Sequence, residues 1–299
     1  MSEARLYAKD PLTLLNQTFW NNPLWLHLER GLAGLEAWRL KGCRPGEPDH
    51  GEPDRASPVR GDSNVDRREL SKFEATAPEW WDPKGPSGAL HAINPLRLNF
   101  ILDCGNMHQR QVLDVGCGGG LLCEALVRAG ARVTGIDQGQ SALSVARAHA
   151  RQQGLSIEYQ TATAEAWAHS HPQHYDLVVC MELLEHVPDP ASVVAACAAL
   201  AKPGGRVVFA TLNRNAKSYL FAIFGAEYVL GLLPPRTHDW RRFIAPEALI
   251  RHAAAARLQP IAARGLTYNP FYRVYRLGRD MSVNYMLAFG KPESATPSP

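Results

Sequence analysis

The segment YDLVVCMELLEHVPDP, residues 175–190, holds two carboxylates and an imidazole in close succession: Glu182, Glu185 and His186. If a helical turn begins at Glu182, the other two stand three and four positions on and share its face. Such a set suits a divalent cation taking oxygen ligands and one nitrogen. It equally suits general-base work. The plainer alternative is a helix N-terminus with favourable acids and a solvated histidine. Farther on, THDW offers His238 as a second candidate base, beside Asp239.

Upstream, VLDVGCGGG (112–120) runs from a strand-like stretch into glycines. A glycine-rich turn between strand and helix lets backbone N–H groups come close to a ligand. The dinucleotide fingerprint GxGxxG asks for a third glycine where Leu121 stands, so a nicotinamide dehydrogenase fits poorly. A ligand without pyrophosphate does not need that glycine. Asp137 ends the next strand-like stretch, ARVTGID, where a carboxylate can accept hydrogen bonds from both hydroxyls of a ribose. Together, DVGCGGG and GID resemble the S-adenosylmethionine site of class I methyltransferases. The alternative is a structural glycine turn with a capping aspartate. In that class the fourth strand end borders the active site, and Met181 stands there, able to pack on an adenine. Methyl transfer to a phenol would use the acid–histidine segment. A phenol has a pKa of about 10, and its anion is the better nucleophile. A base can take the proton, or a metal can lower the pKa.

The elements that must position these residues alternate. QVLDVG, ARVTGID, IEYQTATA, YDLVVCM and GGRVVFATL read as strands. LLCEALVRAG, QSALSVARAHARQQG and ASVVAACAALA read as helices, with Gly130 and Gly154 closing the first two. LQPIAARGLTYNP and VNYMLAFGK supply two late strands. Strands alternating with helices imply an α/β fold, a mainly parallel sheet covered on both faces.

Composition narrows the class further. The 299 residues are 45% hydrophobic and 20% charged, enough for a large core. A net charge of +3 is too mild for the dense basic face of a nucleic-acid binder. The six cysteines form no CxxC pair and read as reduced, mostly buried thiols. The apolar stretch YLFAIFGAEYVLGLL (219–233) contains Glu227 and is shorter than the roughly 18–20 residues of a spanning helix. Residues 42–63, rich in Gly, Pro and charge with GEPD twice, read as a flexible linker. They set off an N-terminal extension, 1–41, whose large apolar residues predict one or two short helices. The catalytic domain is expected over 64–290 and a disordered tail over 291–299.

Longer blocks carry a closer resemblance. NVDRRELSKFEATAPEWWDPKGPSGALHAINPLRLNFI (64–101), ATLNRNAKSYLFAIFGAEYVLGLLPPRTHDWRRFIAPEAL (210–249), GLTYNP (265–270) and VNYM (283–286) are similar to ubiquinone-biosynthesis O-methyltransferases. The family includes 3-demethylubiquinol 3-O-methyltransferases and 2-polyprenyl-6-hydroxyphenol methylases. The resemblance implies a Rossmann-like, seven-stranded class I methyltransferase sheet with helices on both faces and a reversed edge strand. It implies S-adenosylmethionine as methyl donor, held by Arg97, Gly116, Asp137 and Met181. Arg97 would pair with the donor's carboxylate. It implies polyprenyl phenols or catechols as acceptors, with Glu185, His186 and His238 as catalytic candidates. In eukaryotic relatives the E-x-x-E-H residues hold Mg²⁺, which implies Glu182, Glu185 and His186 as ligands of Mg²⁺ or another divalent cation.

The family's acceptors reside in a bilayer. Residues 214–242 carry an apolar core flanked by Arg214, Lys217, Arg236, Arg241 and Arg242, which predicts a peripheral contact with the inner membrane from the cytoplasm. A buried helix with a basic rim is the alternative. The stretch YNPFYRVYRLGR (268–279) fits an acceptor wall or a surface strand equally. Other proteins of ubiquinone biosynthesis are implied partners; nucleic acid is not. Two rival functions stay open: a methyltransferase of the same fold acting on a soluble small molecule, and a non-catalytic donor-binding scaffold.

Overall fold

The computed structural model describes residues 64–213, 242–269, 272 and 274–293. Eight strands form one mixed sheet. They are β1 (Gln111–Val115), β2 (Arg132–Asp137), β3 (Glu158–Thr161), β4 (Tyr175–Met181), β5 (Ala201–Leu212), β6 (Gln259–Asn269), β7 (Val274–Gly278) and β8 (Asn284–Gly290). Their order is β3-β2-β1-β4-β5-β8-β6-β7. The first five run parallel, and β8 enters antiparallel between β5 and β6.

The described helices are α1 (Arg67–Thr76), α2 (Gly88–Asp103), α3 (Leu121–Arg128), α4 (Gln140–Gln152), α5 (Ala164–Ser170), α6 (Pro190–Leu200) and α7 (Pro246–Ala255). Short 3₁₀ turns stand at Ala77–Glu79 and Leu184–His186. Strands β1 and β4 are buried almost throughout, as apolar runs covered on both faces must be. Helix α6 starts sharply. Asp189 accepts from the N–H groups of Ala191 and Ser192, and Pro190 sits where no N–H is needed. Its small residues let it pack between α5 and α7. The five described cysteines are free, and four are buried.

One expectation is corrected. The described sheet has eight strands rather than seven, because the 268–279 stretch folds back on β6 as a hairpin. Leu266 pairs with Leu277 and Tyr268 with Tyr275. Of the expected tail, residues 291–293 are described. Lys291 exchanges backbone hydrogen bonds with the Gly204–Gly205 turn, and its ammonium donates to the carbonyls of Ala198 and Ala201 at 2.8 Å. Residues 1–63, the whole of the expected extension and linker, lie outside the described residues, as do 214–241 and 294–299.

The packing of β2 depends on one missing methyl. A Cβ on Gly135 of β2 would meet Tyr159 Cδ1 at 2.8 Å, Cys117 Sγ at 2.9 Å and Cys123 Sγ at 3.0 Å. All three neighbours are buried and cannot swing away. Gly135→Ala should therefore destabilise the fold by about 1–3 kcal/mol. Urea unfolding checks this: the midpoint should fall with the slope unchanged, and an unaltered midpoint would contradict the packing.

Candidate active site

A cavity of about 960 Å³ opens at the C-terminal ends of β1, β2 and β4. Parallel strands leave this edge for ligands. The chain leaves β1 through Gly116, Gly118 and Gly120, all left-handed, with φ of 75°, 50° and 83°. The loop is tied to β2. Gly116 and Cys117 donate to the Ile136 carbonyl at 2.8 and 3.1 Å, and Gly118 donates to Asp137 Oδ2 at 2.9 Å. The other Asp137 oxygen accepts from Gly139 at 2.7 Å. Burial pushes the Asp137 carboxyl above its ordinary value, opposed by these amides. The loop N–H groups at 116, 117, 118 and 120 thus serve the protein itself.

Arg97, buried on α2, reaches the same cavity. Its Nη2 donates to Glu182 Oε1 at 2.9 Å, while its buried Nε has no hydrogen-bond partner. Met181 closes β4 and lines the cavity, 7% exposed. Gly116, Asp137, Arg97 and Met181 therefore all line the one cavity.

The acid–histidine segment folds differently from the expected helical turn. Glu182 takes a left-handed φ of 54° at the strand exit, and the 3₁₀ turn begins only at Leu184. The three side chains then take different further partners, although Glu182 and Glu185 stay close enough to interact. Glu182 pairs with Arg97. Glu185 is 3% exposed and accepts from Thr211 Oγ1 at 2.8 Å. Burial, then the charge of Glu182, pushes the Glu185 carboxyl up, toward its neutral form. His186 Nδ1 lies 2.9 Å from Glu69 Oε2 on α1. The histidine's hydrogen bond holds Glu69 down at about 2. An ionised Glu69 can only accept, so Nδ1 carries the proton in this pair. Among the described residues no three His, Cys, Asp or Glu side chains are gathered to hold a metal ion. Engaged in this way, Glu182, Glu185 and His186 do not fit a cation site.

The N-terminal segment 64–81 forms the opposite wall, which sequence reasoning assigned no role. Asn64 bonds Glu165, the Asp189 carbonyl and the Asp189 N–H at 2.6, 2.9 and 2.7 Å. Asp66 caps α1 and pairs with Arg242 at 2.7 Å. Arg242 is thus tied to the domain rather than forming part of a solvated basic rim. Trp80 lies over the glycine loop, and Tyr268 and Tyr275 of the β6–β7 hairpin line the cavity beside Asn284. His238 lies outside the described residues.

A family model described as a methyltransferase domain matches residues 113–209. A curated relative from Thiobacillus denitrificans, named ubiquinone biosynthesis O-methyltransferase, is 54% identical over 226 residues, 76% of this chain and 97% of that protein. One of the same name from Yersinia pestis is 53% identical over 234 residues, 78% of this chain and 97% of that protein. Among solved structures, magnesium protoporphyrin IX methyltransferase from Synechocystis PCC 6803, with bound SAH, matches with a TM-score of 0.56 and 18% identity, covering 74% of this chain and 94% of that one. A protein from Pyrococcus horikoshii OT3 matches at 0.54 with 14% identity, covering 74% and 98%. At these identities the solved structures are alike in fold alone.

Asp114 supplies a test of the site's interior. It is buried on β1, and Cys123 Sγ donates to its Oδ2 at 3.2 Å. Burial pushes its carboxyl from 3.8 up to about 6. The folded value lies above the unfolded one, so the native state holds this proton more tightly. Its stability contribution is full below about pH 4 and is lost as pH rises through about 6. Asp114→Asn copies the neutral form. In calorimetric melts without ligand, the variant's Tm advantage should widen from pH 4 to 6 and then flatten. A pH-independent gap would contradict the assignment.

Proposed function

Because the chain belongs to the ubiquinone biosynthesis O-methyltransferase family, we propose that it methylates phenol oxygens of polyprenyl phenols and catechols, 2-polyprenyl-6-hydroxyphenol and 3-demethylubiquinol among them. It is an S-adenosylmethionine-dependent O-methyltransferase. The observation that carries the reading is one cavity lined both by Arg97, Gly116, Asp137 and Met181 and by Glu69 and His186.

S-Adenosylmethionine supplies an electrophilic methyl group on a sulfonium. The cavity fits it: its size suits such a ligand, and it has a ribose-type carboxylate, Asp137, and an unpartnered buried guanidinium nitrogen on Arg97. Asp137 would hold the ribose hydroxyls, Met181 would pack on the adenine, and Arg97 would face the carboxylate. The acceptor would enter between the β6–β7 hairpin and α1, its ring against Tyr268 and Tyr275. His186 Nε2 would take the phenol proton while Glu69 fixes the ring through Nδ1. Alignment and exclusion of water by the N-terminal wall supply the rest.

A cation at Glu182, Glu185 and His186 would require Glu182 to leave Arg97 and His186 to turn from Glu69. The reaction is therefore written with protein groups alone. The membrane reading rests on the apolar, basic-flanked sequence of 214–242, whose residues 214–241 lie outside the described ones. No helix among the described residues is long and apolar enough to cross a membrane. The proposed place is peripheral, on the cytoplasmic face of the inner membrane, with 64–290 as the catalytic domain.

Purified protein with S-adenosylmethionine and a short-chain demethylubiquinol should yield a product one methyl heavier by mass spectrometry, and should do so in the presence of chelator. Activity lost to chelator and restored by Mg²⁺ would assign the cation to the E-x-x-E-H residues. Donor binding without product would favour a scaffold or another acceptor. Asp137→Ala should abolish calorimetric donor binding. His186→Ala should lower kcat by about 10²–10⁴-fold while donor affinity holds. If turnover survives, His238 becomes the next candidate base.

A further inference from the structure

Trp80 has been given no contact with a ligand so far, yet its indole lies directly on Gly118 and Gly119 of the glycine loop. A Cβ on Gly118 would collide with its Cζ2 and Cη2, and one on Gly119 with its Cδ1 and Cγ. The ring edge running from Cδ1 to Cζ2 therefore follows the loop from Gly119 to Gly118. Nε1 belongs to that edge, between Cδ1 and Cε2. Trp80 is 8% exposed and lines the cavity, and its Nε1 is buried with no hydrogen-bond partner. A buried N–H without an acceptor is rare in folded proteins and calls for one.

The ring cannot simply turn away to find it. The neighbouring Trp81 donates from its own Nε1 to the Gly119 carbonyl at 3.0 Å. Trp81 also stacks on His149 at 3.5 Å and 9°, and His149 is fixed by the fully buried Glu124 at 2.6 Å. His91 Nε2 lies 2.9 Å from the Trp80 carbonyl. The Trp80–Trp81 pair is thus braced against the loop from behind, and a new acceptor has to arrive from the cavity.

The cavity holds a second orphan of the same kind, Arg97 Nε. The loop's own N–H groups at 116, 117, 118 and 120 are occupied. Two unpartnered N–H donors, one of them cationic, call for an anionic acceptor. A donor whose ribose is held by Asp137 has one anion to offer, its α-carboxylate. We propose that the Trp80 indole N–H hydrogen-bonds the α-carboxylate of the S-adenosyl donor beside Arg97. Its ring face also fills the space that side chains at 118 and 119 would need. The assignment rests on the donor-binding reading of this cavity.

Trp80→Phe keeps the ring face and removes the N–H. Binding of S-adenosylhomocysteine and of its decarboxylated analogue, S-adenosyl-3-thiopropylamine, is to be measured by calorimetry on both proteins. The variant should lose about tenfold in affinity for S-adenosylhomocysteine, as for a lost hydrogen bond to a charged group. Its affinity for the decarboxylated analogue should stay within about twofold of wild type. Equal loss for both ligands would show a purely structural indole, and no loss for either would show no contact; each overturns the proposal. Wild-type protein that binds neither ligand would instead overturn the donor reading itself. If the variant fails to fold, the wild-type Trp80 indole N–H resonance decides. It should move downfield with S-adenosylhomocysteine and not with the decarboxylated analogue, and equal shifts would refute the contact.

Discussion

Everything in this site depends on a stretch of backbone that carries no side chains, Gly118 and Gly119, with an indole lying directly on it. The loop can take this load only because no Cβ is present where Trp80 sits. On its other side the same loop is bonded to the end of β2 through Ile136 and Asp137. Three segments far apart in the chain, 77–81, 116–120 and 137–139, are thereby fixed to one another. Glycine costs conformational entropy, and a loop with several would be floppy alone. Here it is clamped from both sides, so the entropy is lost on folding rather than on ligand binding, which is how a site is preorganised.

The N-terminal segment follows from that clamp. Once Trp80 and Trp81 are docked, α1 is carried across the mouth of the cavity. Asn64, Asp66 and Glu69 then reach α5, the start of α6, Arg242 and His186. Taken singly, a partly exposed pair such as Asp66–Arg242 contributes about 0–1 kcal/mol. Their work is geometric. They hold a helix with no buried residues of its own against the domain, and they give the cavity its second wall. The same helix delivers Glu69 to His186, so the segment that closes the site also sets the tautomer of its candidate base.

Much of this was legible in the sequence because burial leaves periodic traces. Strands covered on both faces appear as apolar runs, so β1, β4 and β5 could be placed. The turn glycines and Asp137 were found because their spacing is local. Arg97 and Met181 came from a resemblance rather than from any pattern. What escaped has no local trace. Glu69 and His186 meet across 117 residues, and Trp80 meets Gly118 only in space. The E-x-x-E-H spacing pointed to one helical face. Glu182 breaks it by taking a left-handed conformation, which a non-glycine residue rarely adopts and no spacing rule anticipates. The extra strand β7 was missed as a sheet member because its pattern suits a surface strand and a site wall alike, and in the fold it is both.

The divergence of the three E-x-x-E-H side chains has an electrostatic logic. Two carboxylates facing each other in a buried site cannot both stay charged. Glu182 pairs with Arg97, and burial pushes the Glu185 carboxyl toward its neutral form. Glu69 keeps its charge through His186. Each anion that remains is therefore matched, and the guanidinium is oriented by Glu182 through Nη2 while its Nε is unspent. A donor carboxylate can be taken up at Nε without breaking the pair that aims the arginine. The sulfonium and phenolate then bring opposite charges into a mainly apolar cavity, where their cancellation during methyl transfer is favoured over their separation.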